Sequence, residues 1–474
     1  MTRLRKRPLN TDFEPVDTIL AVIAAVLFAA MFALYTHYGE AGWFVLIAIY
    51  GLIASEISIR RSPGLFITIS ALVFIHELVA VFNLYGHTLP GADTDAKSFL
   101  VYAENRGMED IEPAISIDLY RNFLIILVRI QGGSRALAFS SSVLAFALSL
   151  LIFNRLISLT GITRARIPIL LAFGLAPHFL VYTSITLREP LQLLFFVAAV
   201  YYGVSFRTGS GIIDGVMFIL CATCLAILHQ VLIPFALVLA AVILLWPVHR
   251  DSRKKTFTRI AAAVVIVSGL TATFMHVMRT EKFTGVGVVL KMAEFDADYF
   301  LRQIEGYRLA IDKDEPRTAL NVDLDTSSLP ALALGMPALY LNYWFAPFPW
   351  NVGETKDIVA ILIALMRLGL ISVIIAGFWV DRGDRRLLSL YTVLFLLMCS
   401  TWILGTTNYG QAIRHQILSD WLLLLIAGGF AERLLNHGNP WSSTKFRNRS
   451  SERTEPAPSS PSPMPGNPGE HRVP

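Results

Sequence analysis

The stretch ALAFSSSVLAFALSLLIFNRLISL, residues 136–159, decides the fold class of this chain. Arg155 is its single charged residue. A helix of about 20 apolar residues is long enough to cross the hydrocarbon core of a bilayer. The stretch therefore predicts a transmembrane helix rather than the amphipathic helix of a soluble domain.

Apolar runs of similar length recur along the chain, so we predict an all-α, polytopic integral membrane protein with about twelve transmembrane helices. The predicted spans are residues 18–37, 42–59, 65–85, 136–159, 167–185, 190–206, 212–228, 231–248, 260–277, 358–380, 387–405 and 417–434. Residues 329–345 are also apolar but contain Pro330, Gly335 and Pro337, which favours a re-entrant or interfacial helix.

The composition agrees with this class of protein. Hydrophobic residues make up 54% of the 474 residues, charged residues make up 16%, and the mean hydropathy is +0.57. These values exclude an ordinary soluble enzyme and a disordered chain. The three cysteines are too few for a disulfide framework, and Cys221 and Cys224 lie inside an apolar run where packing is the expected role.

The distribution of lysine and arginine predicts the orientation. Seventeen of them lie in the segments that are cytoplasmic if the N terminus is cytoplasmic, whereas the short outer turns contain only Arg188 and Arg414. The positive-inside rule then places both termini in the cytoplasm. We predict a membrane domain over residues 1–436, with outer loops 86–135 and 278–356 that contain amphipathic helices, and a disordered cytoplasmic tail over residues 437–474. The scattered basic residues do not indicate nucleic-acid binding.

Unusual polar residues gather at the predicted outer face. Asp93 and Asp95 lie two residues apart in the first outer loop. Either carboxylate can serve as a general base, and the pair can hold a divalent cation such as Mg²⁺ or Mn²⁺ together with a diphosphate. The alternative is a turn or a helix N-cap without catalytic function.

Other candidate residues lie in the short outer turns. Arg188 and Glu189 stand between the predicted fifth and sixth spans, and His229 lies between the seventh and eighth. Arg414 and His415 open the last span. Arginine at a membrane boundary is suited to phosphate, because its planar fork of donors matches phosphate oxygens. A local Arg188–Glu189 pair is the alternative interpretation of the first turn.

Four segments together resemble bacterial polytopic GT-C-like glycosyltransferases and the related polymerases of O-antigen and exopolysaccharide. They are GADTD at 91–95, SITLREP at 184–190, FAPFPW at 345–350 and NYGQAIRH at 408–415. The resemblance implies a bacterial inner-membrane protein that transfers sugar from a polyprenyl-phosphate-linked donor to a glycan or lipid acceptor at the extracytoplasmic face. It also implies that Asp93 or Asp95 is the base or a metal ligand.

Two other functions fit the same sequence. Twelve spans with cytoplasmic termini also fit a transporter or a lipid-linked sugar flippase, and GFWVDRGDRR at 377–386 is similar to a major-facilitator signature. However, the long loops here are predicted outside, unlike those of that family. A non-catalytic subunit of an envelope assembly machine is the third hypothesis.

Overall fold

The computed structural model describes residues 43–56, 62–86, 95–130, 134–209, 211–247, 324–380 and 385–437, with single positions and short pieces elsewhere, including 318–320. Apart from single positions and short pieces, the predicted spans 18–37 and 260–277, the tail after residue 437, Asp93 and the part of the second long loop before residue 318 lie outside these residues. All regular elements of the described part are helices. One isolated antiparallel bridge in this part pairs Ala319 with Asn408.

The described part contains both long apolar helices and shorter ones. Their bounds are α1 Trp43–Ser55, α2 Pro63–Tyr85, α3 Asp95–Glu104, α4 Ser116–Ile130, α5 Ala136–Leu159, α6 Arg166–Leu175, α7 Pro177–Tyr182, α8 Glu189–Thr208, α9 Ile212–Ile227, α10 Leu232–Leu245, α11 Leu329–Phe345, α12 Thr355–Val380, α13 Arg386–Ile403 and α14 Tyr409–His437.

Five helices in the described part are long and apolar enough to cross a membrane: α2, α5, α8, α13 and residues Asp357–Val380 of α12. Three shorter apolar helices, α6, α9 and α10, accompany them. The all-α class and the membrane character predicted from the sequence are therefore confirmed. The bounds of α5 match the predicted span at both ends, because hydropathy changes sharply there.

The predicted continuous span 167–185 is wrong. The structure divides it into α6 and α7, which meet at Ala176. Ala176 has the extended ψ of 131°, and Pro177 begins the next helix. A proline has no N–H to continue the ladder of a helix and pushes the preceding residue out of the helical region, so the break follows from Pro177.

The segment between α7 and α8 is buried although it is not part of a helix. Thr183, Ser184 and Thr186 are fully buried, and Leu187 is nearly so. The hydroxyl of Thr186 donates to the carbonyl of Ala96 at 3.1 Å. Irregular backbone at membrane depth is tolerated where protein surrounds it, and this segment delivers Arg188 and Glu189 to the start of α8.

The last helix is the central packing element of the C-terminal half. α12 and α13 both pack on α14, and α14 also contacts α6 and α8. Close approach to α6 depends on Gly428, since a Cβ there would collide with a methyl group of Ile169. At the same end, Glu432 accepts hydrogen bonds from the backbone N–H groups of 163–165 and so caps the start of α6.

α14 begins at Tyr409, eight residues before the predicted start of the last span. Arg414 and His415 therefore lie on a helix and not on the outer turn that the sequence predicted. Asp357 fixes this beginning, because its carboxylate accepts a hydrogen bond from the Tyr409 hydroxyl at 2.5 Å. The same carboxylate accepts from the N–H groups of Gly353 and Glu354, at 2.8 Å each.

Candidate functional site

Arg414 lies between two carboxylates that come from distant parts of the chain. Its Nε atom is 2.6 Å from Oε1 of Glu189, and its Nη1 atom bonds to the carboxylate of Asp95. These partners are 225 and 319 positions away in the sequence. We call Asp95, Arg188, Glu189 and Arg414 the Arg414 cluster. It joins the starts of α3 and α8 to the second turn of α14.

The local structure explains why the carboxylates are placed here. Asp95 and Glu189 are the first residues of α3 and α8, where the positive end of a helix dipole favours an anion. Pro190 follows in the first turn of α8, where its missing N–H costs no hydrogen bond. Arg414 is also near a helix N terminus, where a cation is disfavoured, and the two carboxylates compensate for that.

The two carboxylates differ in exposure. The side chain of Glu189 is 2% exposed, that of Arg414 is 14% exposed, and that of Asp95 is 53% exposed. Glu189 therefore holds the guanidinium from the interior of the bundle, whereas Asp95 covers it from the open side. A bond between a carboxylate and a guanidinium gains strength with burial, so the Glu189 contact is the stronger of the two.

Arg188 is the second cation of the Arg414 cluster and is less completely paired. It is 9% exposed, and its Nε atom makes no hydrogen bond within the described part of the chain. Burial lowers the pKa of Arg188, and the charge of Arg414 acts in the same direction. An arginine keeps its proton in proteins, so Arg188 presents a charged donor that an anionic group can satisfy.

Two histidine rings pack against the ring of Trp402 near this cluster. The ring of Trp402 lies 4.0 Å from that of His415 in a nearly parallel arrangement and 4.8 Å from that of His229, edge to face. Desolvation lowers the pKa of His229 well below its usual value, and the Arg188 cation lowers it further. His229 is therefore neutral at pH 7, and the positive charge of the site comes from its arginines.

Helix α4 contributes Tyr120, which is 2% exposed and lies near enough to the cluster for the charges of Glu189, Arg188 and Arg414 to act on its hydroxyl. Burial raises the pKa of Tyr120, and the Glu189 carboxylate raises it further, so the hydroxyl stays protonated. The ring meets Phe99 of α3 edge to face at 5.4 Å. The sequence predicted amphipathic helices in loop 86–135, and α3 and α4 are helices of that loop. That the loop lies at the outer face stays a prediction.

A cavity of about 220 Å³ adjoins the cluster. It is lined in part by Ala96, which follows Asp95, and by Thr186, which precedes Arg188 by two residues. Lys97 and Arg135 add positive charge to its wall, although Arg135 is paired with Glu104 of α3. The cavity gives a ligand of moderate size a place beside the charged groups.

The structure thus brings together most of the residues selected from the sequence. Asp95, Arg188, Glu189 and Arg414 form the ionic part, and His229 and His415 form the aromatic part. The alternative interpretation of the first turn was a local pair between Arg188 and Glu189. Instead, Oε1 of Glu189 bonds to Arg414. Asp93 lies outside the described residues, and its role stays a prediction.

The binding of a divalent cation by this site stays a prediction as well. No group of three or more potential ligands of the His, Cys, Asp and Glu types is found among the described residues. The two carboxylates of the Arg414 cluster each bond to a guanidinium. Asp95 therefore has one oxygen engaged by Arg414.

A second ionic network, in the middle of the bundle, was missed by the sequence prediction. Asp420 of α14 lies 2.8 Å from Nη2 and 2.9 Å from Nε of Arg367 in α12. Nε2 of His178 lies 3.0 Å from the same carboxylate oxygen, and Gln416 accepts from Arg367. The available signal was Arg367, the single charged residue of predicted span 358–380, together with Asp420 inside the apolar part of predicted span 417–434. A charge within a span usually indicates a buried partner.

Gln192 is another residue that the sequence prediction overlooked. It is fully buried one turn after Arg188 on α8, and neither its Nε2 nor its Oε1 makes a hydrogen bond in the described part of the chain. Residues three and four apart share a helix face, so this spacing was the signal that could have identified it.

Comparison with protein-family models, with curated proteins and with solved structures found no match for this chain.

Proposed function

We propose that the protein is a membrane-embedded glycosyltransferase or polysaccharide polymerase that uses a polyprenyl-phosphate-linked sugar donor. The observation that carries the proposal is Arg188, a buried guanidinium with an unused donor beside the Arg414–Glu189 pair. A phosphate group is the anion that suits such a fork of donors best.

In this proposal the donor phosphate binds to the two guanidinium groups, and the sugar lies towards the adjoining cavity. Negative charge develops on the leaving phosphate during transfer, and fixed cations in a site of low water content stabilise it. Asp95 is the half-exposed carboxylate of the site, and it takes the proton of the acceptor hydroxyl. Trp402 is buried against the rings of His415 and His229 and fixes the wall beside the ionic part of the site.

The proposal includes the membrane topology. Twelve spans with both termini in the cytoplasm of a bacterial inner-membrane protein place the Arg414 cluster at the extracytoplasmic face. Reporter fusions after Lys255 and in the tail are expected to be cytoplasmic, and a fusion at Asp323 periplasmic. A cytoplasmic reading at Asp323 would contradict both the topology and the location of the site.

The function is tested in cells that lack the protein, by profiling lipid-linked and surface glycans. Short lipid-linked precursors are expected to accumulate, and the wild-type gene is expected to restore the glycan. Arg188→Ala should restore at most about a tenth of the product, because one charge-assisted bond to phosphate contributes about 1.5–3 kcal/mol. Arg106→Ala is the control, since Arg106 is a half-exposed arginine of the loop 86–135 that pairs with Asp110 and lies outside the cluster.

A transporter or lipid-linked sugar flippase is the second candidate. The observations that favour it are the helix break at Pro177 and the His178–Asp420–Arg367 network, since broken helices and buried charges often mark transport paths. In that case completed precursors would accumulate on the cytoplasmic side. Loss of the glycan without any precursor, restored by Arg188→Ala, would instead indicate a non-catalytic subunit.

A further inference from the structure

We propose that Asp95 is the resting counter-ion of an anion-exchange site, in which a phosphate group displaces its carboxylate from Arg414. This inference rests on the proposed function and deepens it, because it states what neutralises the phosphate-binding guanidinium before the donor arrives. The ligand class is a phosphate ester or free phosphate.

The unequal burial of the two carboxylates is the first support. Glu189 is almost completely buried and holds the Nε side of Arg414, so its removal would leave a buried charge without a partner. Asp95 holds Nη1 and is 53% exposed, so water can hydrate its carboxylate as soon as the bond breaks. Of the two partners, Asp95 is therefore the one that a ligand can replace.

The unused donor of Arg188 is the second support. Arg188 lies close enough to Asp95 and Arg414 for their charges to affect it, yet its Nε atom has no hydrogen-bond partner in the described part of the chain. A phosphate has more acceptor oxygens than a carboxylate and is tetrahedral, so it can engage both arginines. The exchange thus replaces one bond from Arg414 with bonds from two guanidinium groups.

The net charge of the Arg414 cluster is the third support. The two arginines and the two carboxylates of the Arg414 cluster sum to zero while Asp95 is in place. When Asp95 leaves, the remaining three groups carry one positive charge, which attracts an anion. The displaced Asp95 is then a free carboxylate at the rim of the site, where the proposed function needs a base.

Equilibrium binding to the full-length protein in nanodiscs tests the exchange, with farnesyl phosphate as the probe. Asp95→Asn removes the competing anion and keeps the size of the side chain, so it is expected to bind the probe at least about fivefold more tightly than the wild type. Asp118→Asn is the matched control, because Asp118 also lies in the first turn of an outer-loop helix and pairs with an arginine at 2.8 Å. It should bind like the wild type.

Asp95→Glu keeps the carboxylate and is expected to show wild-type affinity. An Asp95→Asn variant that elutes normally from size exclusion and binds the probe equally well or more weakly would overturn the exchange. Weaker binding would mean that Asp95 contacts the ligand directly or through a cation.

The outcomes separate this inference from the proposed function. Binding by the wild type with no gain in Asp95→Asn refutes only the exchange, whereas no binding by any folded variant refutes both. Inorganic phosphate is the second probe and distinguishes the source of the phosphate. The same gain with inorganic phosphate shows recognition of the phosphate itself, and a gain with farnesyl phosphate alone shows that the lipid chain contributes; both support the exchange.

Discussion

Replacement of Glu189 by glutamine should destabilise the protein much more than replacement of Asp95 by asparagine. Glu189→Gln leaves the guanidinium of Arg414, 14% exposed, and that of Arg188, 9% exposed, close together with one buried anion removed. Removing one partner of a buried ion pair typically costs about 3–5 kcal/mol. The 53% exposed Asp95 pairs with the same guanidinium, yet its loss should cost about 1 kcal/mol or less, because solvent screens the contact.

The free energy of unfolding of both variants can be measured in mixed micelles by titration with a denaturing detergent. A double-mutant cycle with Arg414→Gln isolates each pair, since Arg414 is common to both. The coupling energy between Glu189 and Arg414 should exceed that between Asp95 and Arg414 by about 2 kcal/mol or more. Equal coupling energies would refute the assignment of Glu189 as the fixed partner and Asp95 as the replaceable one.

Three further predictions concern other parts of the molecule. Gly428→Leu should lower the melting temperature by several degrees and reduce the folded yield, because a side chain there collides with Ile169; a normal melting curve would contradict the close contact. Asp420→Leu should cost about 3–5 kcal/mol, and adding Arg367→Leu should recover much of it in the same unfolding assay, since an unpaired buried charge is worse than none. The pKa of His229 is lowered in the folded state, so the unfolded state binds more protons below about pH 6.5. The stabilising contribution of His229 is therefore fully present above that pH and decreases as the pH falls. His229→Gln should flatten this pH dependence in melting curves taken from about pH 5 to 8.

The break between α6 and α7 was missed because the prediction of one span rested on hydropathy alone. Residues 167–185 are apolar enough to predict one span, but Pro177 lies in the middle of the run. A proline can be accommodated in a membrane helix when neighbours satisfy the freed carbonyl. The sequence alone did not decide between a kink and a complete break, whereas the extended backbone of Ala176 in the structure shows a complete break.

The sequence by itself determined the membrane class, the bounds of α5 and the residue types of the site, because hydropathy and bilayer thickness act locally along the chain. Charge bias also directed attention to Arg188 and Arg414. Only the tertiary structure decided that Arg414 bonds to Asp95 and Glu189, and that Asp420 bonds to Arg367. Such pairs depend on which helices pack together and at what depth. The paired residues lie 53 to 319 positions apart, so no local sequence pattern specifies the pairing.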